Sequence, residues 1–305
     1  MATRIAWWLN LDAGLELAQP SSYQRSPELA ARVQALAPRL SLLLAAEDVL
    51  LDGSRRAEQL SGFVPLCFCP TPSAQAALVG LGFTPMLPVA LPLLRALTRR
   101  SFAAELGQTL PGARYVASLA ELQAVLAERP SFTGEWLLKR DFSFAARERR
   151  RIRGQTPDAS TLGFARQSFA RGEGLQLEPY VRRLADFARH GFVTADGELL
   201  RGPVMRQEVD ARGVWIASQV AETDALSERE RTALEQALCE TGDALRTRGY
   251  AGPFGLDAFR YVDATDAPAF QPRSEVNVRF SMGYPRCLLE RALAAPDRRG
   301  ADGCD

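Results

Sequence analysis

The chain reads as a mixed α and β protein, with a small α/β unit first and hairpin-paired strands with capped helices after it. Three observations point there. Gly62–Cys69 is a buried-strand run ending in Pro70-Thr71-Pro72; Ser73 then caps a helix, Ala74–Leu81, that stops at Gly82. Strand, cap, helix and glycine in that order is the rhythm of a parallel sheet. Further on, Asp196-Gly197 is a hairpin turn signal between the strands Phe187–Thr194 and Glu198–Arg201, and Phe254–Tyr261 and Phe270–Arg279 flank a polar turn. Finally, 305 residues that are 47% hydrophobic with four Trp exclude a disordered chain and suffice for a core without disulfides or a structural metal.

Taken in order, Ile5–Leu9 and Ser41–Leu44 are short apolar runs that complete an N-terminal unit over 1–93, with the Pro-rich segment Pro85–Pro92 as its boundary. A second unit, 94–172, begins with a helix, Leu93–Leu106, stopped by Gly107. Ser118 caps the helix Leu119–Glu128, and a strand, Glu135–Lys139, precedes a Phe/Ala/Arg-rich stretch, Asp141–Arg153. The third unit, 173–305, holds the strands Leu175–Tyr180 and Val214–Val220, the hairpins above, and a helix capped by Ser227 that runs to about Thr247. Its tail from about 295 reads as frayed.

Composition narrows the function. A net charge of +1 argues against nucleic-acid binding and against polybasic membrane attachment. His190 is the only histidine, so a zinc site built on several His is excluded; a lone His on a strand is ordinarily structural. Cys67, Cys69, Cys239, Cys287 and Cys304 form no disulfide framework, which implies reduced thiols and a cytoplasmic protein; Cys67 and Cys69 share a face of a buried strand. No signal-peptide pattern opens the chain. The charge-free stretch from Gln59 to Leu94 is broken by six prolines, so no membrane helix is expected.

Lys139 stands out because the other 36 of the 37 basic residues are Arg. A position that keeps Lys needs a compact charge rather than a planar fork, such as a strand-end ammonium reaching two phosphates; the ordinary alternative is one surviving surface Lys. Glu178-Pro179-Tyr180-Val181 ends a strand at Pro. Its freed backbone groups suit an adenine edge, with Glu178 accepting from the amino group and Asp186 placed for ribose hydroxyls, against the reading of a plain strand end. Asp257, in Gly252-Pro253-Phe254-Gly255-Leu256-Asp257, precedes Ser274-Glu275-Val276-Asn277-Val278-Arg279. Alternation puts Glu275, Asn277 and Arg279 on one strand face. Three oxygen donors from neighbouring strands suit Mg²⁺, and Arg279 suits phosphate or a developing oxyanion; a solvated face with a Glu–Arg pair is the alternative.

The ordered set Lys139, Glu178-Pro179-Tyr180-Val181, Asp257 and Glu275-x-Asn277-x-Arg279 resembles the ATP-grasp superfamily over roughly residues 94–290. The resemblance implies an α+β ATP-grasp fold, two lobes whose sheets clasp ATP, preceded by a small α/β Rossmann-like domain. It implies Lys139 and, in place of a second cation, Arg100 on phosphates; Glu178 with the Pro179–Val181 backbone on adenine; and Asp186 on ribose. Asp257, Glu275 and Asn277 would hold one or two Mg²⁺ ions (Mn²⁺ being an alternative), and Arg279 would meet the transferred phosphate. The implied activity is an ATP-dependent ligase that joins a small-molecule carboxylate, activated as an acyl phosphate, to an amine. An ATP-grasp kinase and a non-catalytic nucleotide-binding scaffold are the alternatives. Dimers are common in the family. One departure is the phosphate loop, where Ala145 and Ala146 replace glycines and Arg147 and Arg149 either compensate or are solvated. Acceptor and donor are expected near Arg279 and the strand Val214–Val220, with Gln219 and Arg206 as candidate readers of both.

Overall fold

Strands of three different wirings account for the architecture. The computed structural model describes residues 3–128, 131–142, 148–210 and 213–294. The tail expected to fray, and the loop residues Ala145, Ala146 and Arg147, lie outside the described residues.

The first sheet is parallel. β1 (Ile5–Trp8) buries Ile5, Ala6 and Trp7 completely, the continuous apolar run that a strand covered on both faces requires. After α1 (Ala13–Ala18) and α2 (Pro27–Leu36) come β2 (Val49–Leu50) and β3 (Val64–Cys67), which flank β1 in the order β2-β1-β3. Pro65 is tolerated because β3 is an edge. α3 (Pro72–Gly80) starts earlier than the expected Ala74–Leu81, with Thr71 rather than Ser73 at the cap position. Pro72 lacks an N–H and has a helical φ, so it occupies the first helical position. Ser41–Leu44 forms turn rather than strand.

The single helix expected over Leu93–Leu106 is two, α4 (Leu91–Thr98) and α5 (Arg100–Glu105). Arg99 between them is extended, φ −64° and ψ 146°. The break is set from outside the helix: the buried Asp141 carboxylate accepts from the Arg100 amide at 3.0 Å and from the Tyr115 hydroxyl at 2.8 Å, anchoring the start of α5 on a negative charge. There follow β4 (Arg114–Val116), α6 (Leu119–Glu128), β5 (Glu135–Arg140), β6 (Arg149–Arg153), α7 (Ala159–Ala170) and β7 (Leu175–Pro179). Ser118 caps α6, its Oγ accepting from the Glu121 amide. The strands form an antiparallel sheet in the order β4-β7-β5-β6. β7 was expected in the unit 173–305, but Leu175 and Leu177 share a core with Leu138 and Phe164. β7 thus belongs to the four-stranded sheet by pairing and by core.

The third sheet is antiparallel throughout. β8 (Arg183–Val193), β9 (Leu199–Val209), β10 (Trp215–Val220), β11 (Gly252–Val262) and β12 (Pro268–Asn277) run in the order β10-β9-β8-β11-β12. β9 outruns the expected Glu198–Arg201 because Pro203 lies in the part of the strand that β10 does not reach; pairing with β10 covers Met205 to Val209. Period-two alternation on β8 sends Ala185 and Phe187 into the core under α8 (Glu228–Thr247), where Arg189 also pairs with Glu235 at 2.5 Å. Asp186 and His190 point to the opposite face. Ser227 caps α8, as its sequence suggested, and Glu230 reaches back to complete a reciprocal pair. None of the described helices is long and apolar enough to cross a membrane.

α9 (Arg286–Ala294) ties the chain's two ends together. Leu288 and Leu289 share a core with Trp7, Leu40 and Phe68, and the Arg286 guanidinium meets the buried Asp48 carboxylate at 2.5 Å. Asp48 also accepts from the Ile5 amide and the Trp7 indole. Removing the cation strands a buried charge, so Arg286→Met is expected to lower the free energy of unfolding by about 3 kcal/mol. Urea denaturation measures it, and a loss below about 1 kcal/mol would mean that Asp48 is adequately held by its neutral donors alone.

Candidate active site

A cleft of about 290 Å³ opens between the four-stranded and five-stranded sheets. Lys139 at the end of β5 and Arg100 at the start of α5 enter from one side. Asp186 on β8, Asp257 on β11 and Glu275 and Asn277 on β12 line the other, with Arg279 just beyond β12. The N-terminal unit closes one end with Leu11, Arg39 and Phe68. Antiparallel register sets the acidic pair: Asp257 lies directly across from Glu275, and Gly255 across from Asn277.

The charges are buried and organised by one another. Lys139 is 6% exposed and ion-paired with Glu178, which is equally buried. Burial pulls the ammonium below its usual pKa; Glu178 opposes this, and Arg100 and Arg183 add to the pull. Arg100 donates from Nη1 to Glu275 at 3.1 Å and from Nε to the Arg140 carbonyl at 2.7 Å. Burial works against its charge, but Glu275 and Glu178 outweigh burial and raise its pKa. Burial likewise pushes Glu275 up, while Arg100, then Lys139 and Arg279, hold it below the usual carboxyl range. Asp257 lacks such a partner. Burial first and the neighbouring Glu275 second raise it to about 6, although Gln207 and Asn277 donate to its two oxygens at 3.2 Å each.

This arrangement fits a hard divalent cation. Two like charges held side by side, one of them pushed towards protonation, are a pair that a cation between them would relieve. Asn277 gives its N–H to Asp257, leaving its amide oxygen as a third donor. Among the described residues no cluster of three His, Cys, Asp or Glu has metal-ligand geometry, so an amide oxygen and ligand oxygens would have to complete the shell.

Of the residues singled out from sequence, Lys139, Arg100, Asp186, Asp257, Glu275, Asn277 and Arg279 share this cleft. Pro179, Tyr180 and Val181 are not on its wall. The Tyr180 amide donates to the Glu135 carbonyl, its ring lies under the Arg151 guanidinium at 3.9 Å, and Val181 is in a core with Leu110 and Phe259. Glu178 faces Lys139 and a small pocket behind Arg100. Asp186 is held by Arg183 at 2.8 Å. Arg206 lies on the wrong face: its guanidinium sits over Phe187 at 5.0 Å, in the layer under α8, and Gln219 pairs opposite it. The cleft face of those strands instead presents Gln207, Val209 and Trp215. Gln207 was legible only once β9 was known to continue past Pro203. Arg39 and Ser281, also on the wall, carry no local sequence signal.

No protein-family model matches the sequence, and the search of curated proteins returns no significant match. Solved structures do match. The D-cycloserine synthetase DcsG is 13% identical with a TM-score of 0.53, covering 95% of this chain and 98% of that one. Pyruvate carboxylase from Rhizobium etli is 18% identical with a TM-score of 0.51, covering 92% of this chain and 26% of that one. Carboxyaminoimidazole ribonucleotide synthase from Aspergillus clavatus, complexed with ATP, is 14% identical with a TM-score of 0.50, over 92% of this chain and 71% of that one. At these identities the likeness is one of fold: the chain shares its fold with these three proteins.

The raised Asp257 makes stability depend on pH. Its folded value, about 6, lies above the ordinary 3.8, so its contribution is fully present below pH 3.8 and lost as pH rises through about 6. Without divalent cations, Asp257→Asn is expected to raise the urea midpoint at about pH 8 and leave it unchanged at about pH 3.5. A midpoint lowered at pH 8 would show that the carboxylate stabilises the fold instead.

Proposed function

We propose that the chain is an ATP-dependent ligase that activates a small-molecule carboxylate as an acyl phosphate and couples it to an amine. The observation that carries the reading is the cleft itself, where Lys139 and Arg100 on one side face the acidic pair Asp257 and Glu275 on the other, with Arg279 just beyond. Cations and an acidic cation seat in one cleft suit a triphosphate with its metal. The similar structures support this, since two of the three are named as a synthetase or synthase and one of those is complexed with ATP.

In this reading Lys139 and Arg100 bind and orient the phosphates. Asp257, Glu275 and Asn277 would hold Mg²⁺, which when bound supplies charge neutralisation on the β- and γ-phosphates. The substrate carboxylate oxygen attacks the γ-phosphorus and the bond to ADP breaks. The amine nitrogen then attacks the acyl carbon, the C–O bond to phosphate breaks, and phosphate leaves carrying the proton that the nitrogen gives up as the amide forms. Arg279 stabilises the charge on the transferring phosphoryl group. No covalent enzyme intermediate is needed, in keeping with a chain whose one histidine is buried and whose Cys69 thiol is buried and pushed well up. The finer parts of the assignment, including a Rossmann-like N-terminal unit, a cytoplasmic location and a homodimer, belong to the same proposal.

Phosphate release from Mg-ATP, assayed against amino acids and other carboxylic acids with and without amines, tests it. ADP and phosphate are expected to accumulate together only when both an acid and an amine are present. A phosphorylated hydroxyl compound would make it a kinase, and no turnover across a broad panel would favour a scaffold. Arg279→Met is expected to lower turnover about 100-fold or more, the scale of removing one donor to a transition-state anion. A change under about threefold, well short of that scale, would remove Arg279 from the chemistry.

A further inference from the structure

The chain's lone histidine lies directly behind the cleft wall. His190 is 1% exposed. Its ring meets Tyr284 edge-on, centroids 5.2 Å apart, and a Cβ on Gly255 would come within 2.9 Å of its Cδ2, so glycine there leaves the ring its place. Nε2 is 2.6 Å from the Ser281 hydroxyl oxygen, and Ser281 lines the cleft beside Arg279 and Met282. Nδ1 is buried without a partner.

Burial pulls the ring's pKa to about 3, so it is neutral and has one proton to place. On Nδ1 that proton would be a buried N–H with no acceptor. On Nε2 it is given to Ser281, and only an acceptor lone pair at Nδ1 goes unused. Orphaned buried N–H groups are the rarer and costlier of the two. With its oxygen accepting from Nε2–H, the Ser281 hydroxyl hydrogen turns elsewhere, and the described residues offer it no second partner.

We infer that His190 is a positioning residue: by donating Nε2–H to Ser281 it fixes that hydroxyl as a donor on the cleft wall, where it receives a carboxylate oxygen of the acceptor substrate beside Arg279. This rests on the cleft being the ligase site proposed above, so the first two measurements are made without turnover.

Histidine labelled with ¹⁵N gives a single imidazole. The Nε2–H tautomer is expected at neutral pH; the Nδ1–H tautomer overturns the inference. Acetate and inorganic phosphate are then titrated separately with Mg-ADP present. An anion accepting from Ser281 makes its oxygen a better acceptor, so the Nε2–H resonance moves downfield. Acetate is expected to produce this in the wild type and not in Ser281→Ala. A response to phosphate alone overturns the carboxylate assignment, and a response to neither overturns the proposal. Where the panel above yields a substrate, His190→Leu is expected to raise the acceptor KM about tenfold while the KM for Mg-ATP stays within about twofold. His190→Gln, whose amide N–H reaches the Nε2 position, restores the acceptor KM. Equal shifts in both KM values, or no rescue by Gln, would mean a merely structural histidine. A panel without turnover would sink the ligase reading and leave the tautomer and acetate results to stand or fall on their own.

Discussion

The Arg100 guanidinium spans the gap between the two sheets, and the site depends on it. The Arg100 amide is held by Asp141, its Nε bonds the last carbonyl of β5, and its Nη1 reaches Glu275 on β12. One residue thus refers the strand that carries Lys139 to the strand that carries the acidic pair. Its charge is also the largest influence holding Glu275 ionised against burial. Without it, Glu275 would be driven towards protonation, and the proposed cation seat would lose one of its two carboxylates.

The remaining charges divide into a satisfied set and an unsatisfied one. Lys139 with Glu178, Asp186 with Arg183 and Arg100 with Glu275 are paired within the protein. Asp257 has two neutral donors and a like-charged neighbour, and Arg279 offsets its burial only in part. Buried charges tend to be paired or to bind metals, so the imbalance at Asp257 is where the structure asks for a ligand. Glu178 shows the reverse. Its carboxylate is paired through Oε1 with Lys139, which leaves Oε2 as an acceptor.

What could be read from the sequence was what depends on short-range pattern. The alternation Glu275, Asn277, Arg279 and the facing Asp257 needed only a hairpin and a period of two, and the register confirms the pairing. The break at Arg99 was invisible because a carboxylate far along the chain, Asp141, imposes it. The place of Leu175–Pro179 in the four-stranded sheet was hidden for a similar reason, since its partners are chosen by a core distant in sequence. Pro203 hid the continuation of β9 and with it Gln207. Ser281 was silent because its significance lies in the histidine behind it, and that contact joins β8 to the segment after β12, 91 positions along the chain.

The central claim is that two sheets contribute to one nucleotide site. Hydrogen exchange measured with and without Mg²⁺ and a non-hydrolysable ATP analogue tests it most directly. Protection is expected to rise together in β5, around Lys139, and in β11 and β12, around Asp257 and Glu275. Protection confined to one sheet, or none in either, would contradict it.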